Sequence, residues 1–216
     1  MLDVVYTNES REVPFFLEQL KEKWFDDAMD HEKFLGLDLE YTADQRGVAI
    51  IQLCFARHVL IFQWARSDKH CPELMDFLRS GITFATVDIR NDKLKMRYSF
   101  GIEIPIGCLV DLQTVFRLRH DRTSVAHMAV ALIDEEYGDM KTSFPKSQHK
   151  LWEKAPLDPI NIEYMQQKMH TFHTSCTARF ESSTMASVTS RKVNILIQTI
   201  QTSSVLNVEH LYIYLW

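Results

Sequence analysis

The segment Phe34-Leu35-Gly36-Leu37-Asp38-Leu39-Glu40-Tyr41 is apolar except for two carboxylates and its final tyrosine. Apolar residues at 34, 35, 37 and 39 predict a strand that is buried on at least one face. Because side chains alternate across a strand, we expect Asp38 and Glu40 to project from the same side. Two adjacent like charges are destabilising unless something positive lies between them, and a divalent cation is one candidate. The alternative is an ordinary solvated strand face.

The flanking sequence predicts that this strand belongs to a sheet. Near-continuous apolar runs at 48–55 and 58–63 indicate two further strands, and the break at Ala56-Arg57 indicates a hairpin between them. Shorter strands are predicted at Asp3–Thr7 and at Ile82–Val87, and a last helical segment begins near Ile160 and runs to about His170. The order of elements therefore favours an α/β protein whose sheet begins antiparallel.

Composition limits the classes of function. The chain has 216 residues, 46% of them hydrophobic, which suits one domain with an ordinary core. A formal net charge of −5 argues against binding nucleic acid by bulk electrostatics and leaves room for a local basic groove. The four cysteines form no C-x-x-C pair, and no apolar run is long enough for a bilayer. We expect an intracellular protein of the nucleus or cytoplasm that has no membrane segment.

Three short motifs together resemble a known family. Asp38-Leu39-Glu40 before a hairpin resembles the first motif of the DEDD-type 3′-5′ exonucleases, which have a ribonuclease H-like fold. The segment 89–95, which contains Asp92, resembles their second motif, and the segment 152–157 followed by Tyr164 resembles the approach to the third. Within that family, the motifs resemble those of the Werner-syndrome-type exonuclease domains. The resemblance covers roughly residues 4–164.

The resemblance implies a mixed β-sheet flanked by α-helices and an exonuclease-like domain over residues 1–170. It also implies removal of nucleotides from the 3′ end of DNA or RNA with two Mg²⁺ or Mn²⁺ ions. On that pattern Asp38, Glu40 and Asp92 are catalytic residues that hold the metals, and Tyr164 orients the attacking water. From the residues alone, Asp92 could instead cap its helix, and Tyr164 could simply pack on the core.

The third motif departs from the family pattern at Lys168. The family places an aspartate four residues after the tyrosine, and here that position is a lysine. A protonated amine has no lone pair to offer and repels the ions that it should hold. His170 and His173 are a possible substitute pair, although imidazole suits softer metals. We therefore expect hydrolysis to be weak or absent, and a non-catalytic module that binds nucleic acid or protein through the same groove is the alternative.

A change of reading frame is one hypothesis for this departure. Permitted codons for Gln167 through Arg179 can be read in a shifted frame as Lys-Asp-Ala-Tyr-Ile-Ser-Tyr-Glu-Leu-Tyr-Ser-Gln, which restores the missing motif. The residues from about 168 onward would then be out-of-frame sequence. The rival hypothesis is a functional pseudoenzyme whose C-terminal segment evolved for its own purpose. In either case we expect residues 171–216 to form an atypical tail that is disordered or loosely docked.

Overall fold

A six-stranded sheet with helices on both faces organises the structure. The computed structural model describes residues 2–29, 33–115, 124–139, 144–145 and 147–184. Its strands are β1 (Asp3–Thr7), β2 (Phe34–Tyr41), β3 (Val48–Phe55), β4 (His58–Phe62), β5 (Thr83–Thr86) and β6 (Leu109–Asp111). Its α-helices are α1 (Glu12–Leu20), α2 (Pro72–Arg79), α3 (Ile89–Phe100), α4 (Leu112–Val115), α5 (Val125–Leu132) and α6 (Pro159–Thr184). Within the described residues, no helix is both long and apolar enough to cross a membrane.

The sheet is mixed, and its strand order is β1-β4-β3-β2-β5-β6. Strands β2, β3 and β4 pair antiparallel in sequence, whereas the β1–β4, β2–β5 and β5–β6 pairs are parallel. The predicted hairpin between β3 and β4 is confirmed. The predicted α/β fold, a mixed sheet flanked by helices, is confirmed as well.

Burial explains why β2 and β3 lie at the centre. Every residue of β3 is buried, and in β2 only Tyr41 is partly exposed. Helices α1 and α2 cover one face through a cluster that includes Phe16, Leu20 and Leu74. Helix α6 covers the other face, where Met165 and Phe172 are fully buried. A strand that is covered on both faces needs apolar residues at nearly every position, and this explains the continuous runs in the sequence.

Helix α6 is longer than the sequence pattern predicts. The sequence pattern predicts an end near His170, whereas the helix continues to Thr184. The predicted domain boundary at residue 170 therefore falls within α6. Thr171 and Phe172 are completely buried, and Phe172 packs against Gly36 of β2. A Cβ atom on Gly36 would lie 3.3 Å from Cβ of Phe172, so the absence of a side chain at Gly36 permits this approach. Residues 185–216 of the predicted tail lie outside the described residues.

Candidate active site

Strand β2 places Asp38 and Glu40 on the same side of the sheet, as strand alternation predicts. Both carboxylates are buried, with 5% and 8% of the residue surface exposed. A single ammonium contacts both of them: Nζ of Lys168 lies 2.8 Å from Oδ2 of Asp38 and 3.0 Å from Oε1 of Glu40. The positive charge that this strand requires is therefore supplied by the chain itself.

Lys168 reaches the sheet from α6, one turn after Tyr164. Only 15% of its side chain is exposed, so solvent screens these ion pairs weakly. Burial by itself lowers the pKa of Lys168, but the carboxylates of Asp38 and Glu40 outweigh burial and hold that pKa well above its usual value. Lys168 therefore remains charged at neutral pH.

Asp92 joins this cluster from the first turn of α3. It does not cap the helix, because the residue at the N-cap position is Asp88. Its Oδ1 atom accepts a hydrogen bond of 2.5 Å from the hydroxyl of Tyr41, at the end of β2. Burial, together with the negative charge of Asp38, raises the pKa of Asp92 to about 7. The structure therefore brings together all three carboxylates that the sequence singled out.

Burial also raises the pKa of Glu40, to about 7, although the charge of Lys168 acts in the opposite direction. The cluster holds three carboxylates and one ammonium in a poorly solvated place. Protonation of one carboxylate reduces the repulsion among these negative charges at a low cost in free energy. Protonation of one carboxylate leaves two negative charges beside the ammonium of Lys168, so the excess negative charge of the site is reduced without any added ion.

Tyr164 lies next to this cluster and is also part of the core. The residue is 8% exposed, and its ring stacks on that of Phe144, with ring centroids 4.1 Å apart. The Nζ atom of Lys168 lies 5.8 Å from the centroid of the Tyr164 ring. Tyr164 therefore both lies at the site and packs on the core.

Two residues at the site were missed by sequence reasoning. Gln52 of β3 is completely buried, and its Nε2 atom donates a hydrogen bond of 2.8 Å to Oδ2 of Asp38. Tyr41 donates to Asp92, as described above. The signal for Gln52 was present in the sequence, because it is the only polar residue in the apolar run of β3.

His170, one of the two proposed histidine substitutes, contacts Tyr137 and not the carboxylate cluster. Nδ1 of His170 is 2.8 Å from the hydroxyl of Tyr137, and His170 lines a different, open pocket with Gln166 and Gln167. The side chain of His173 lies outside the described residues. His170 therefore does not compensate for Lys168.

A pair of divalent ions does not fit these residues as they stand. One oxygen of Asp38 and one of Glu40 accept hydrogen bonds from Lys168, and one oxygen of Asp92 accepts a hydrogen bond from Tyr41. Among the described residues, no group of three or more histidine, cysteine, aspartate or glutamate side chains is arranged to hold a metal ion. The role of Asp38, Glu40 and Asp92 as metal ligands stays a prediction.

Sequence comparisons give no relative, whereas structural comparison gives several. No protein-family model and no curated protein matches the chain. Trypanosoma brucei RNase D, solved as a complex with GMP, matches with a TM-score of 0.61 and 15% identity, covering 92% of this chain and 62% of that one. Escherichia coli RNase D matches with a TM-score of 0.61 and 16% identity, covering 95% and 52%. The EXO domain of Aedes aegypti Nibbler matches with a TM-score of 0.63 and 14% identity, covering 91% and 96%.

The coverage defines which part of these proteins corresponds to the chain. The chain spans about half the length of the Escherichia coli RNase D structure and nearly all of the Nibbler EXO domain. At identities of 14–16% the likeness establishes the fold. The chain therefore shares the α/β fold of the two RNase D structures and of the Nibbler EXO domain, a mixed six-stranded sheet flanked by helices.

Proposed function

We propose that this chain is a 3′-5′ exonuclease-type protein that acts on the 3′ ends of nucleic acids and whose hydrolysis is impaired by Lys168. The fold supports the nucleic-acid part of the proposal. Escherichia coli RNase D is described as an exoribonuclease involved in structured RNA processing, and Trypanosoma brucei RNase D was solved with GMP. Asp38, Glu40, Asp92 and Tyr164 also lie together at one site, as the motif resemblance requires.

A single observation supports the impairment: Lys168 is ion-paired with both strand carboxylates. A divalent ion that bound Asp38 and Glu40 would have to displace a buried ammonium or lie against it. Like charges a few ångströms apart in a poorly solvated site repel strongly. Metal-dependent hydrolysis therefore requires a rearrangement that the folded protein resists.

The same ion pairs favour a second candidate, a non-catalytic module that binds nucleic acid or a partner protein through the same groove. A site whose two strand carboxylates are already paired with a lysine of the same chain does not depend on metal for its structure. Binding without degradation is the property that distinguishes this candidate from an impaired enzyme.

One assay separates the candidates. We would incubate 5′-labelled DNA and RNA oligonucleotides, single-stranded or with a recessed 3′ end, with the protein in Mg²⁺ or Mn²⁺. We expect the unaltered chain to release little product and Lys168→Asp to shorten the labelled strand progressively from its 3′ end. Lys168→Asp combined with Asp38→Ala is the control and should be inactive. If the unaltered chain is as active as Lys168→Asp, Lys168 does not impair hydrolysis. Binding by every variant without any degradation would support the non-catalytic module.

A further inference from the structure

The helix that supplies Asp92 to the site, α3, leaves one of its sides exposed. Its inner side buries Asp92 and Met96, and Asp92 belongs to the carboxylate cluster. On the outer side, Leu94 and Tyr98 are 67% and 72% exposed. Residues four apart on a helix are neighbours, so these two side chains form one apolar patch. Tyr98 lies about 9 Å along the helix axis from Asp92, so the patch borders the site.

Helix α3 is basic, although the chain as a whole is acidic. The helix contains four basic residues and one acidic residue, the buried Asp92, whereas the whole chain has a formal net charge of −5. The four basic residues are Arg90, Lys93, Lys95 and Arg97. A local excess of positive charge on an acidic protein favours an anionic partner at this surface over the rest of the molecule.

Two of these four charges are paired within the chain, and two are not. Arg90 pairs with Asp88 at 3.0 Å, and Arg97 pairs with Glu103 at 3.4 Å. Neither lysine of α3 forms an ion pair with another described residue. The surface therefore keeps two positive charges after its two exposed acids are counted. Both arginine pairs are exposed and hence weak, so a phosphate group can compete for the arginines as well.

Lys95 connects this surface to the carboxylate cluster. Its Nζ atom donates a hydrogen bond to the carbonyl of Gln45 and lies 5.5 Å from the centroid of the Tyr41 ring. The hydroxyl of Tyr41 in turn donates to Asp92. An anionic chain that reached the cluster along α3 would therefore pass a positive charge held beside the site.

We propose that the exposed side of α3 binds the single-stranded segment of a nucleic acid whose 3′ end lies at the carboxylate cluster; the location of that end rests on the proposed function. The two lysines attract the phosphates, and the Tyr98 ring with Leu94 beside it offers a surface on which unpaired nucleobases stack. A duplex keeps its nucleobases stacked on one another and cannot use this ring. An acidic peptide would satisfy the lysines but would leave the ring without a flat partner.

The test is binding by the full chain in a chelating buffer at low salt, where metal-dependent hydrolysis cannot occur. Fluorescence anisotropy of a 5′-labelled single-stranded oligothymidylate gives the affinity. We expect Tyr98→Ala to weaken binding about tenfold, the loss of one stacked nucleobase, and Tyr98→Phe to bind like the wild type because it keeps the ring. Tyr98→Leu should resemble Tyr98→Ala, since an apolar side chain without a ring cannot stack. Phe15→Ala removes a ring of α1 that is 64% exposed, and this matched control should bind like the wild type.

Lys93 tests the electrostatic part of the surface. Lys93→Ala should weaken binding at low salt and reduce the slope of log affinity against log salt concentration by about 0.7, the value for one phosphate of a single strand. Lys21, an exposed lysine directly after α1, provides the control. Lys21→Ala should leave the slope unchanged.

Three results would overturn the proposal. If the wild type binds and the Tyr98 and Lys93 variants bind equally well, α3 is not the binding surface, and the proposed function is unaffected. If a blunt duplex of the same length or polyglutamate binds as tightly as the single strand, the surface does not recognise unpaired nucleobases. If the wild type binds no oligonucleotide, the nucleic-acid part of the proposed function fails together with the role of α3.

Discussion

Nζ of Lys168 lies 2.8 Å from Oδ2 of Asp38, and the same nitrogen contacts Glu40. The ammonium thus lies between the two strand carboxylates and pairs with both of them. A covalently attached cation cannot be removed by a chelator, and it brings no water that could be activated for attack. The lysine therefore holds both strand carboxylates in ion pairs, and we expect this to weaken the metal binding that the proposed hydrolysis needs.

Loss of this ammonium should destabilise the protein strongly. Lys168→Met would leave Asp38 and Glu40 as neighbouring buried carboxylates without a cation. Breaking a buried ion pair on one side costs about 3–5 kcal/mol. We expect the free energy of unfolding, measured by urea denaturation at neutral pH, to fall by that amount.

Lys154→Met provides the matched control. Nζ of Lys154 is also 2.8 Å from a carboxylate oxygen, that of Asp158, but 52% of the lysine side chain is exposed. Exposed ion pairs contribute about 0–1 kcal/mol. If the two substitutions cost the same, the Lys168 ion pairs are not the buried interaction described here.

The stability of the protein should depend on pH through Glu40. Its pKa is raised from about 4.5 in the unfolded chain to about 7 in the fold, mainly by burial, against the opposing charge of Lys168. The folded state therefore keeps a proton that the unfolded state releases, and this stabilisation is complete below about pH 4.5. It is lost as the pH rises towards 7, and Asp92 contributes in the same direction.

Thermal melts in a chelating buffer between about pH 5 and pH 8 test this dependence. We expect the wild type to lose more stability over this range than Glu40→Gln, which has no proton to lose at that position. The difference should be up to about 1.4 kcal/mol for each pH unit that is crossed within the window. Parallel melting curves for the two proteins would show that Glu40 does not titrate in this range.

Packing of α6 beyond residue 170 can be tested at Gly36. A Cβ atom there would lie 3.3 Å from Cβ of Phe172 and 3.4 Å from Cβ of Cys54, so Gly36→Ala should force the helix away from β2. Overpacking of this kind costs about 1–3 kcal/mol. Gly107→Ala is the control, because among the described residues other than its chain neighbours none has an atom within 4 Å of the added carbon. Equal stability of the two variants would argue against the contact between Phe172 and β2.

Much of this arrangement could be predicted from the sequence, because it depends on local periodicity. Alternation in β2 places Asp38 and Glu40 together, and helical spacing places Lys168 one turn from Tyr164. The apolar runs of β3 and β4 predicted the hairpin that extends the sheet. In each case the relevant distance lies within one element or between neighbouring elements.

The remaining features depend on contacts between distant segments. The hydrogen bond from Tyr41 to Asp92 spans 51 residues, and the one from Lys168 to Asp38 spans 130. The length of α6 also could not be predicted, because its continuation is stabilised by the space that Gly36 leaves for Phe172. The sequence predicts that Lys168 repels metal ions. Its position between both carboxylates follows only from the tertiary fold.

Calorimetric titration with Mn²⁺ tests the role of Lys168 most directly. The unaltered chain should show weak binding, and Lys168→Asp should bind on the order of 100-fold more tightly, because a positive charge about 3 Å from the carboxylates becomes negative. Asp38→Ala in the Lys168→Asp background should abolish the gain. Tight binding of two Mn²⁺ ions by the unaltered chain would contradict the proposal that Lys168 impairs metal binding at this site.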